Sequence, residues 1–534
     1  MSKYKSISIF LFSLLLLSSG SISAQDYTVD WGPIYKKPGG INSDLTFLGI
    51  YEDHYYLIVQ TRNENMLLQY NMEHKLVDQT PLVFNHNNDR LEIKDIITTQ
   101  DGPFIYMHYF SEKYKEWIIY ASRFDGGQFS EPEEIYFEGY DISRNRLNLA
   151  YRNFYENINS QKDLVLSQDS SHVAFVNVIP SEDYRKDDLI SVVVWDSNLN
   201  IKWKALYDFK FGDKDFNVKE AVVSNSGEVF FLASVDKRLD LNGKPISLKQ
   251  RNLPDYVFNI YKLTENEIIE NKIDIGRSKG IVDAGLFVEN EETGEILLGG
   301  FYTTDNPKSR VEGVFFASGT KNIEMGDYKV HPFNSRFLEG LARTKAIKKK
   351  KGLSYNYNIK HLLRYNDGTM GFVAENSFVT RNTNGAQMMN SGFGGMAPLN
   401  FTYSYTTDEI IIPRFNLNGE LLNIEKIDKS YRSDERDYTS FALAEINDEA
   451  ILIFNDRKSK KESKKINKKG NRYTDMAIIG PNGSIKYYET LFSNRESELP
   501  FIPQFFGFSE DYLIVGGSFG SKFTFGCVDL KTRK

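Results

Sequence analysis

The chain has very little cysteine. Cys527 is the only one among 534 residues, so no intramolecular disulfide can form. Stability must therefore come from core burial and backbone pairing. A small thiol inside an apolar strand is expected to be buried rather than reactive.

Long apolar runs are also absent, because none reaches the roughly twenty residues that a membrane-spanning helix needs. The short run from Ile7 to Leu17 follows Lys3 and Lys5 and precedes the small-residue tract Ser18 to Ala24. This order predicts a cleaved signal peptide over residues 1–24. No cysteine follows the cleavage site, which excludes a lipid anchor there. We expect an exported protein, periplasmic, extracellular or at the cell surface, with no transmembrane segment.

The chain has no strong charge of one sign. The formal net charge of −7 describes a mildly acidic surface and does not suggest a nucleic-acid partner. Aromatic residues are plentiful at 14%, chiefly 32 Tyr and 38 Phe. These residues suit sheets that bury one or both faces.

One unit recurs along the chain: an alternating or apolar strand, a tight turn, a nearly continuous apolar strand, then two further strands. The clearest copy begins with Val218 to Ser224, turns at Asn225 to Glu228 and continues with Val229 to Ser234. Val257 to Leu263 and Ile268 to Ile275 complete it. The period of two, the β-branched residues and the Asn/Gly punctuation predict an all-β fold.

Eight such units follow one another at irregular spacing. They begin near Leu45, Ile93, Leu164, Val218, Val282, Ile359, Phe441 and Phe505. Eight four-stranded repeats predict a β-propeller with variable insertions. Seven blades, with one unit misread, or two stacked β-sandwiches are the alternatives.

The last unit has only three strands before the chain stops. At the other end, Tyr27 to Tyr35 is strand-like and precedes the first complete unit. Pairing this segment with the last unit would complete a blade and remove an open sheet edge. We therefore predict that the N-terminal strand closes the last blade.

These repeats resemble the β-propeller superfold and, in character, uncharacterised exported propellers of Gram-negative bacteria. No WD series, kelch double-glycine signature or regular Asp-box series is found, so no specific functional family is indicated. The propeller resemblance alone implies no function.

The predicted single domain, residues 25–534, carries its long insertions on one side. The insertions cover 138–161, 180–189, 236–256, 329–358, 381–405 and 457–472. They fall between second and third strands or between blades, and in a propeller these connections share one face. We call it the insertion-rich face. Because binding residues concentrate on loops held by rigid scaffolds, this face is predicted to be the working one.

Two insertions are strongly basic. The segment 457–472 contains nine Lys/Arg and one acid, and a second cluster lies at 345–351. The predicted binding residues are Lys458, Lys460, Lys461, Lys464, Lys465, Lys468, Lys469, Lys348, Lys349, Lys350 and Lys351. They would recognise a protein, an anionic glycan or another envelope component. The alternative is that both clusters are solvated loops.

A third insertion, 382–403, is rich in Gly, Asn and Met. It is interpreted either as an adaptable contact surface or as a self-packed loop.

Signals for catalysis are weak. None of the seven histidines has helical zinc-site spacing, and no serine nucleophile elbow is present. His361, beside Lys360 and Arg364, is expected to be hydrogen-bonded in the channel wall. The acidic stretch 434–437 is expected to be a solvated loop. No metal or cofactor is predicted.

The leading hypothesis is an exported, non-catalytic binding or scaffold propeller, although whether it is an enzyme stays open. The alternatives are a carbohydrate-active propeller enzyme with carboxylates at the central channel and an assembly subunit of an envelope complex.

Overall fold

The computed structural model describes most of the chain in a series of segments. These are residues 27–40, 43–61, 64–86, 89–111, 116–138, 164–179, 188–209, 216–236, 256–276, 279–288, 295–304, 310–334, 337–338, 353, 356–383, 401–458, 472–509 and 511–531. The predicted signal peptide and most of the predicted basic lysines lie outside these ranges.

The first half of the chain forms strands β1 to β21. They are β1 (Val29–Trp31), β2 (Tyr35–Lys36), β3 (Asp44–Tyr51), β4 (His54–Gln60), β5 (Asn65–Asn71), β6 (Leu76–Leu82), β7 (Asn85–His86), β8 (Asp89–Arg90), β9 (Glu92–Thr99), β10 (Gly102–Ser111), β11 (Glu116–Asp125), β12 (Gln128–Phe129), β13 (Glu133–Glu138), β14 (Leu164–Leu166), β15 (His172–Ile179), β16 (Asp188–Asp196), β17 (Ile201–Phe209), β18 (Phe216–Val223), β19 (Val229–Asp236), β20 (Tyr256–Leu263) and β21 (Ile268–Lys272).

The second half continues with strands β22 to β37, and a 3-10 helix at Arg436–Tyr438 follows β30. The strands are β22 (Gly280–Val288), β23 (Ile296–Thr303), β24 (Gly313–Gly319), β25 (Lys329–Pro332), β26 (Tyr357–Arg364), β27 (Met370–Thr383), β28 (Phe401–Phe415), β29 (Leu421–Ile427), β30 (Tyr431–Ser433), β31 (Phe441–Ile446), β32 (Glu449–Asp456), β33 (Tyr473–Ile479), β34 (Ile485–Ser493), β35 (Phe501–Phe508), β36 (Tyr512–Phe519) and β37 (Lys522–Asp529).

The strands form an eight-bladed propeller of antiparallel sheets. Blades 1 to 8 are β3–β6, β9–β13, β14–β17, β18–β21, β22–β25, β26–β30, β31–β34 and β35–β37 with β1 and β2. First strands of neighbouring blades contact each other, as β18 contacts β22 and β22 contacts β26, so they line the central channel. The eight-blade prediction is confirmed, and the alternatives of seven blades and of two sandwiches are wrong.

The N-terminal strand closes the last blade, as predicted. Val29 pairs with Val528 and Trp31 with Gly526 on β37, and β2 continues this pairing. The Trp31 ring also packs edge-on against Phe492 of blade 7, with ring centroids 4.8 Å apart. The last blade is therefore closed by backbone pairing with β37, and an aromatic contact with blade 7 supports the closing strand.

Burial within a blade explains the sequence pattern of its strands. Every residue of β23 and of β32 is buried, because the middle strands pack against neighbouring blades on both faces. The outer strand β6 is exposed at every residue except Leu82. This is why second strands show continuous apolar runs, whereas the outer strand β6 leaves even Leu76 and Val77 exposed.

The first strands carry a repeated irregularity. A β-bulge lies at Lys219 in β18, at Val282 in β22 and at Lys360 in β26. At each bulge two residues oppose one on the partner strand, which re-aims the following side chain. The side chains that follow the bulges, those of Glu220, Asp283 and His361, form hydrogen bonds to the first strand of the next blade.

Parts of two predicted insertions are strand instead. The range 329–358 begins with β25, the short fourth strand of blade 5. Strands β27 and β28 enter the range 381–405 from both sides, because Phe, Val, Thr and Tyr continue the β-forming sequence there. Across the described segments, no helix has the length and apolar character needed to cross a membrane.

Candidate functional site

A cleft of about 610 Å³ lies on the insertion-rich face where blades 6, 7 and 8 meet. Its walls come from the starts of β26 and β28, the middle of β27, the connection between β30 and β31, and β35. We call it the blade 6–8 cleft. This is the face that the sequence predicts to be the working one.

A hairpin that rises above blade 6 forms one wall. Strands β27 and β28 pair far beyond the start of β26, with Val379 opposite Tyr405. The backbone N–H of Ser377 donates to Asn356 O at 3.0 Å, just before β26 begins. Beyond this bond Phe378 and Val379 are 37% and 57% exposed. The hairpin therefore presents apolar side chains at the cleft.

Two cationic side chains line the cleft. Lys360, at the bulge of β26, and Arg436, in the 3-10 helix, are both exposed lining residues. Neither has an ion-pair partner within the described segments. The lining therefore offers two positive groups to a ligand.

His361 lies next to Lys360 and was expected to be hydrogen-bonded in the channel wall. Its Nε2 lies 2.6 Å from Oε1 of Glu445 on β31. This hydrogen bond bridges blades 6 and 7. The side chain is 40% exposed and also lines the cleft. The bond orients the ring without burying it.

A buried ion pair forms the floor. Lys429 donates to the carboxylate of Glu375, and neither side chain is exposed. Lys429 Nζ also donates to Ser440 O at 2.6 Å. Burial lowers the pKa of Lys429, an effect that the Glu375 carboxylate opposes. The pair neutralises the carboxylate of the cleft lining.

The floor also contains polar atoms and backbone under strain. Ser440 has φ of 69°, a left-handed conformation that is uncommon for a residue with a side chain. The buried atoms Thr407 Oγ1 and Glu375 Oε2 have no hydrogen-bond partner within the described segments. Strained backbone and unsatisfied polar groups gather at functional sites more often than elsewhere.

Of the predicted binding lysines, the structure describes only Lys458. Its ammonium lies 2.5 Å from Oδ2 of the buried Asp475, and its side chain is 15% exposed. Burial raises the pKa of Asp475 to about 6, against the effect of the Lys458 charge. Lys458 is thus held in an ion pair at the root of the basic insertion. The other ten lysines lie outside the described ranges, and their role stays a prediction.

The acidic stretch 434–437 is exposed, as expected for a solvated loop. Only its Arg436 lines the cleft, where Glu375 is the single carboxylate among the described lining residues. No group of three or more potential metal ligands occurs in the described part of the chain.

Sequence reasoning did not assign Glu375, Phe378 or Arg436 to a site. One usable signal was the continued β-forming sequence from Ser377 to Thr380, which indicates a strand longer than its neighbours. No local pattern could reveal that Lys360 and Arg436 lie in the same cleft.

The chain resembles solved propeller structures at low identity. It covers 97% of the β-propeller domain of the Trilobed protease from Pyrococcus furiosus, with 88% of this chain aligned, 11% identity and a TM-score of 0.33. For the NanB sialidase from Streptococcus pneumoniae, 97% of both chains align at 10% identity, with a TM-score of 0.31. For a chain from the structure of Drosophila Plexin A in complex with Semaphorin 1b, the alignment covers 95% of this chain and 88% of that one, at 9% identity and a TM-score of 0.31.

No protein-family model matches the chain, and no curated protein matches it. Structural likenesses as distant as these carry no argument about activity or ligand.

Proposed function

We propose that this chain is an exported, non-catalytic binding propeller that recognises an acidic partner at the blade 6–8 cleft. The observation that carries the proposal is the combination of Lys360 and Arg436, without ion-pair partners in the described segments, with the apolar residues Phe378 and Val379. Charged groups supply attraction and orientation, whereas apolar contacts supply buried area.

The charge balance of the lining supports an anionic partner. Glu375 is compensated by Lys429 beneath the floor, so Lys360 and Arg436 are the uncompensated charged side chains among the described lining residues. A cleft lined by one sign of charge focuses that field and attracts counter-ions from solution.

The basic insertion begins beside the same cleft. Arg457 N–H donates to Ser430 O at 3.0 Å, next to the floor residue Lys429. We propose that the predicted binding lysines of this insertion beyond Lys458, which is paired with Asp475, extend the positive surface. Their contribution forms part of the proposal.

The carbohydrate-active alternative requires two carboxyl groups about 5–10 Å apart across the scissile bond. Among the described lining residues the cleft has Glu375 alone, and that group is held by Lys429. At the cleft, the described lining therefore favours binding over glycoside hydrolysis, whereas the alternative itself places its carboxylates at the central channel.

The proposal is tested with two acidic probes, polygalacturonate and poly-glutamate, and with neutral dextran as the uncharged control. Titration should show binding of at least one acidic probe and none of dextran. The double variant Lys360→Ala/Arg436→Ala should weaken binding at least about tenfold and flatten its salt dependence, because two exposed charge contacts are lost.

The matched control is Lys202→Ala/Lys272→Ala, which removes two exposed lysines from outer strands of blades 3 and 4. It should leave affinity unchanged. Failure of both acidic probes to bind, or equal binding by the cleft variant and the wild type, contradicts the proposal.

A further inference from the structure

We propose that the acidic partner is an extended peptide segment of another protein, which adds as a strand to the free edge of β27. This inference rests on the proposed function and specifies the form of the ligand. It follows from a sheet edge, the cleft beside it and the charges that face both.

The edge arises because β27 extends beyond the start of its inner neighbour, β26. From Met370 to Asn376, β27 pairs with β26 on the channel side. The Ser377 N–H reaches Asn356 O, and from Phe378 onward β27 pairs only with β28 among the described strands. Alternate residues face opposite edges of a strand, so the inner edge presents the N–H and C=O of Val379, which have no strand partner within the described segments and can pair with an incoming strand.

This edge lacks the features that usually protect a free strand. Ser377, Phe378, Val379 and Thr380 include no proline and no charged residue, and three of the four are strong β-formers. Natural edge strands are commonly blunted by lysine, proline or a covering loop. An unprotected edge beside a cleft is typical of strand addition in peptide recognition.

The edge and the cleft form one continuous surface. Phe378 and Val379 line the cleft together with Lys360 and Arg436. Successive side chains of a strand point to opposite faces, so every second side chain of an added peptide would face this surface. Acidic residues at those positions would meet the two cations, which is the charge complementarity that selects an acidic peptide.

The floor of the cleft contains a buried hydroxyl that a bound peptide would satisfy. Thr407 Oγ1 is buried at the cleft, in a residue 3% exposed, and has no partner in the described part of the chain. A buried hydroxyl without a partner costs free energy. A peptide in the cleft could satisfy it directly or through an ordered water.

The first test uses a fluorescent peptide in which Val and Glu alternate. Two derivatives carry N-methyl groups on alternate residues, one on the odd and one on the even positions, with identical charge. An added strand donates N–H bonds from one set only. One derivative should therefore lose at least about tenfold in affinity while the other binds like the parent.

The second test is hydrogen exchange of the Val379 amide, because the Ser377 N–H already donates to Asn356 O and the neighbouring amides face β28. It should exchange rapidly in the free protein and become protected with the parent peptide but not with polygalacturonate. Protection already present in the free protein would show that another part of this chain occupies the edge, and that result overturns the inference.

The outcomes separate the two proposals. If polygalacturonate binds in a manner that depends on Lys360 and Arg436, while the peptide fails to bind or both methylated forms bind equally, strand addition is wrong and the proposed function stands. If no acidic probe binds, both are wrong. If the peptide binds with one-sided methylation sensitivity but ignores the Lys360→Ala/Arg436→Ala change, strand addition stands and the role of the two cations is wrong.

Discussion

Asp283 Oδ2 accepts a hydrogen bond from the backbone N–H of Ile359 at 2.8 Å, and this bond joins blade 5 to blade 6. One blade earlier, Glu220 Oε2 accepts the N–H of Leu286 at 2.7 Å and joins blade 4 to blade 5. Both carboxyl groups directly follow a bulge in a first strand. The bulge therefore turns a polar side chain toward the next blade and ties the ring together near its channel.

Replacement of Asp283 tests this contact between blades. Asp283→Ala should lower the free energy of unfolding by about 1–3 kcal/mol, because the Ile359 N–H loses its acceptor. Asp283→Asn keeps an oxygen at the same place and should lose less. Denaturation midpoints of the three proteins measure the difference. An alanine variant as stable as the wild type would mean that the bond does not stabilise the ring.

Glu220 should make stability depend on pH. Its surroundings raise the pKa to about 8 from an ordinary 4.5, chiefly by burial, although the group keeps a small exposed fraction. Between these values the folded protein retains a proton that the unfolded chain releases. The contribution of this group to stability therefore falls as pH rises from about 4.5 to 8.

Glu220→Gln removes this titration while keeping an acceptor for the Leu286 N–H. The variant should be about 1–2 kcal/mol more stable than the wild type at pH 8 and nearly equal to it at pH 5. Denaturant titrations at both pH values provide the measurement. A difference that does not change with pH argues against a protonated Glu220.

Removal of one partner of the buried Lys429–Glu375 pair should destabilise the protein more than removal of both. Lys429→Met leaves Glu375 charged and uncompensated, and should cost about 3–5 kcal/mol of stability. The double variant Lys429→Met/Glu375→Leu should recover much of that loss, because neither charge remains. A surface control is Lys75→Met, whose partner Glu73 is exposed, and it should change little. Additive effects in the double variant would contradict the pairing.

Removal of the closing strand should damage the whole ring. A chain that begins after residue 36 leaves the outer edge of β37 open, and we expect aggregation on size-exclusion chromatography. Trp31→Ala is the milder test, because it keeps the backbone pairing but removes the ring that packs on Phe492. It should lower the melting temperature, whereas the exposed Lys36→Ala should not. A truncated chain that stays monomeric and equally stable would mean that closure contributes nothing.

Cys527 should be unreactive in the native protein. The structure leaves Cys527 only partly buried, rather than fully buried as predicted. This partial burial raises the pKa of its thiol to about 11, so little thiolate is present at neutral pH. A thiol-specific chromogenic reagent should label it slowly when the protein is folded and completely in denaturant. Rapid labelling of the folded protein would contradict the buried thiol predicted from sequence.

The residues at which several blades start could be predicted closely from the sequence. Units predicted to begin near Leu164 and Phe441 start at those residues, and the one predicted near Phe505 starts at Phe501. The bulges were not predicted, because register depends on the partner strand. Nothing within the segment Ile359-Lys360-His361-Leu362 indicates a register shift. The same order of residue types occurs in Val218-Lys219-Glu220-Ala221, where another bulge lies.

The all-β class, the eight repeats and the strand that completes the last blade could be predicted from the sequence, because alternation, turn residues and a missing strand are local or countable features. The cleft could not, because it depends on how the blades pack. Lys360, Phe378 and Arg436 belong to different elements, and their approach depends on the length of β27 and on the packing of blade 6 against blade 7. Side chains that converge from separate elements leave no pattern along the sequence, so the cleft can be identified only in the folded propeller.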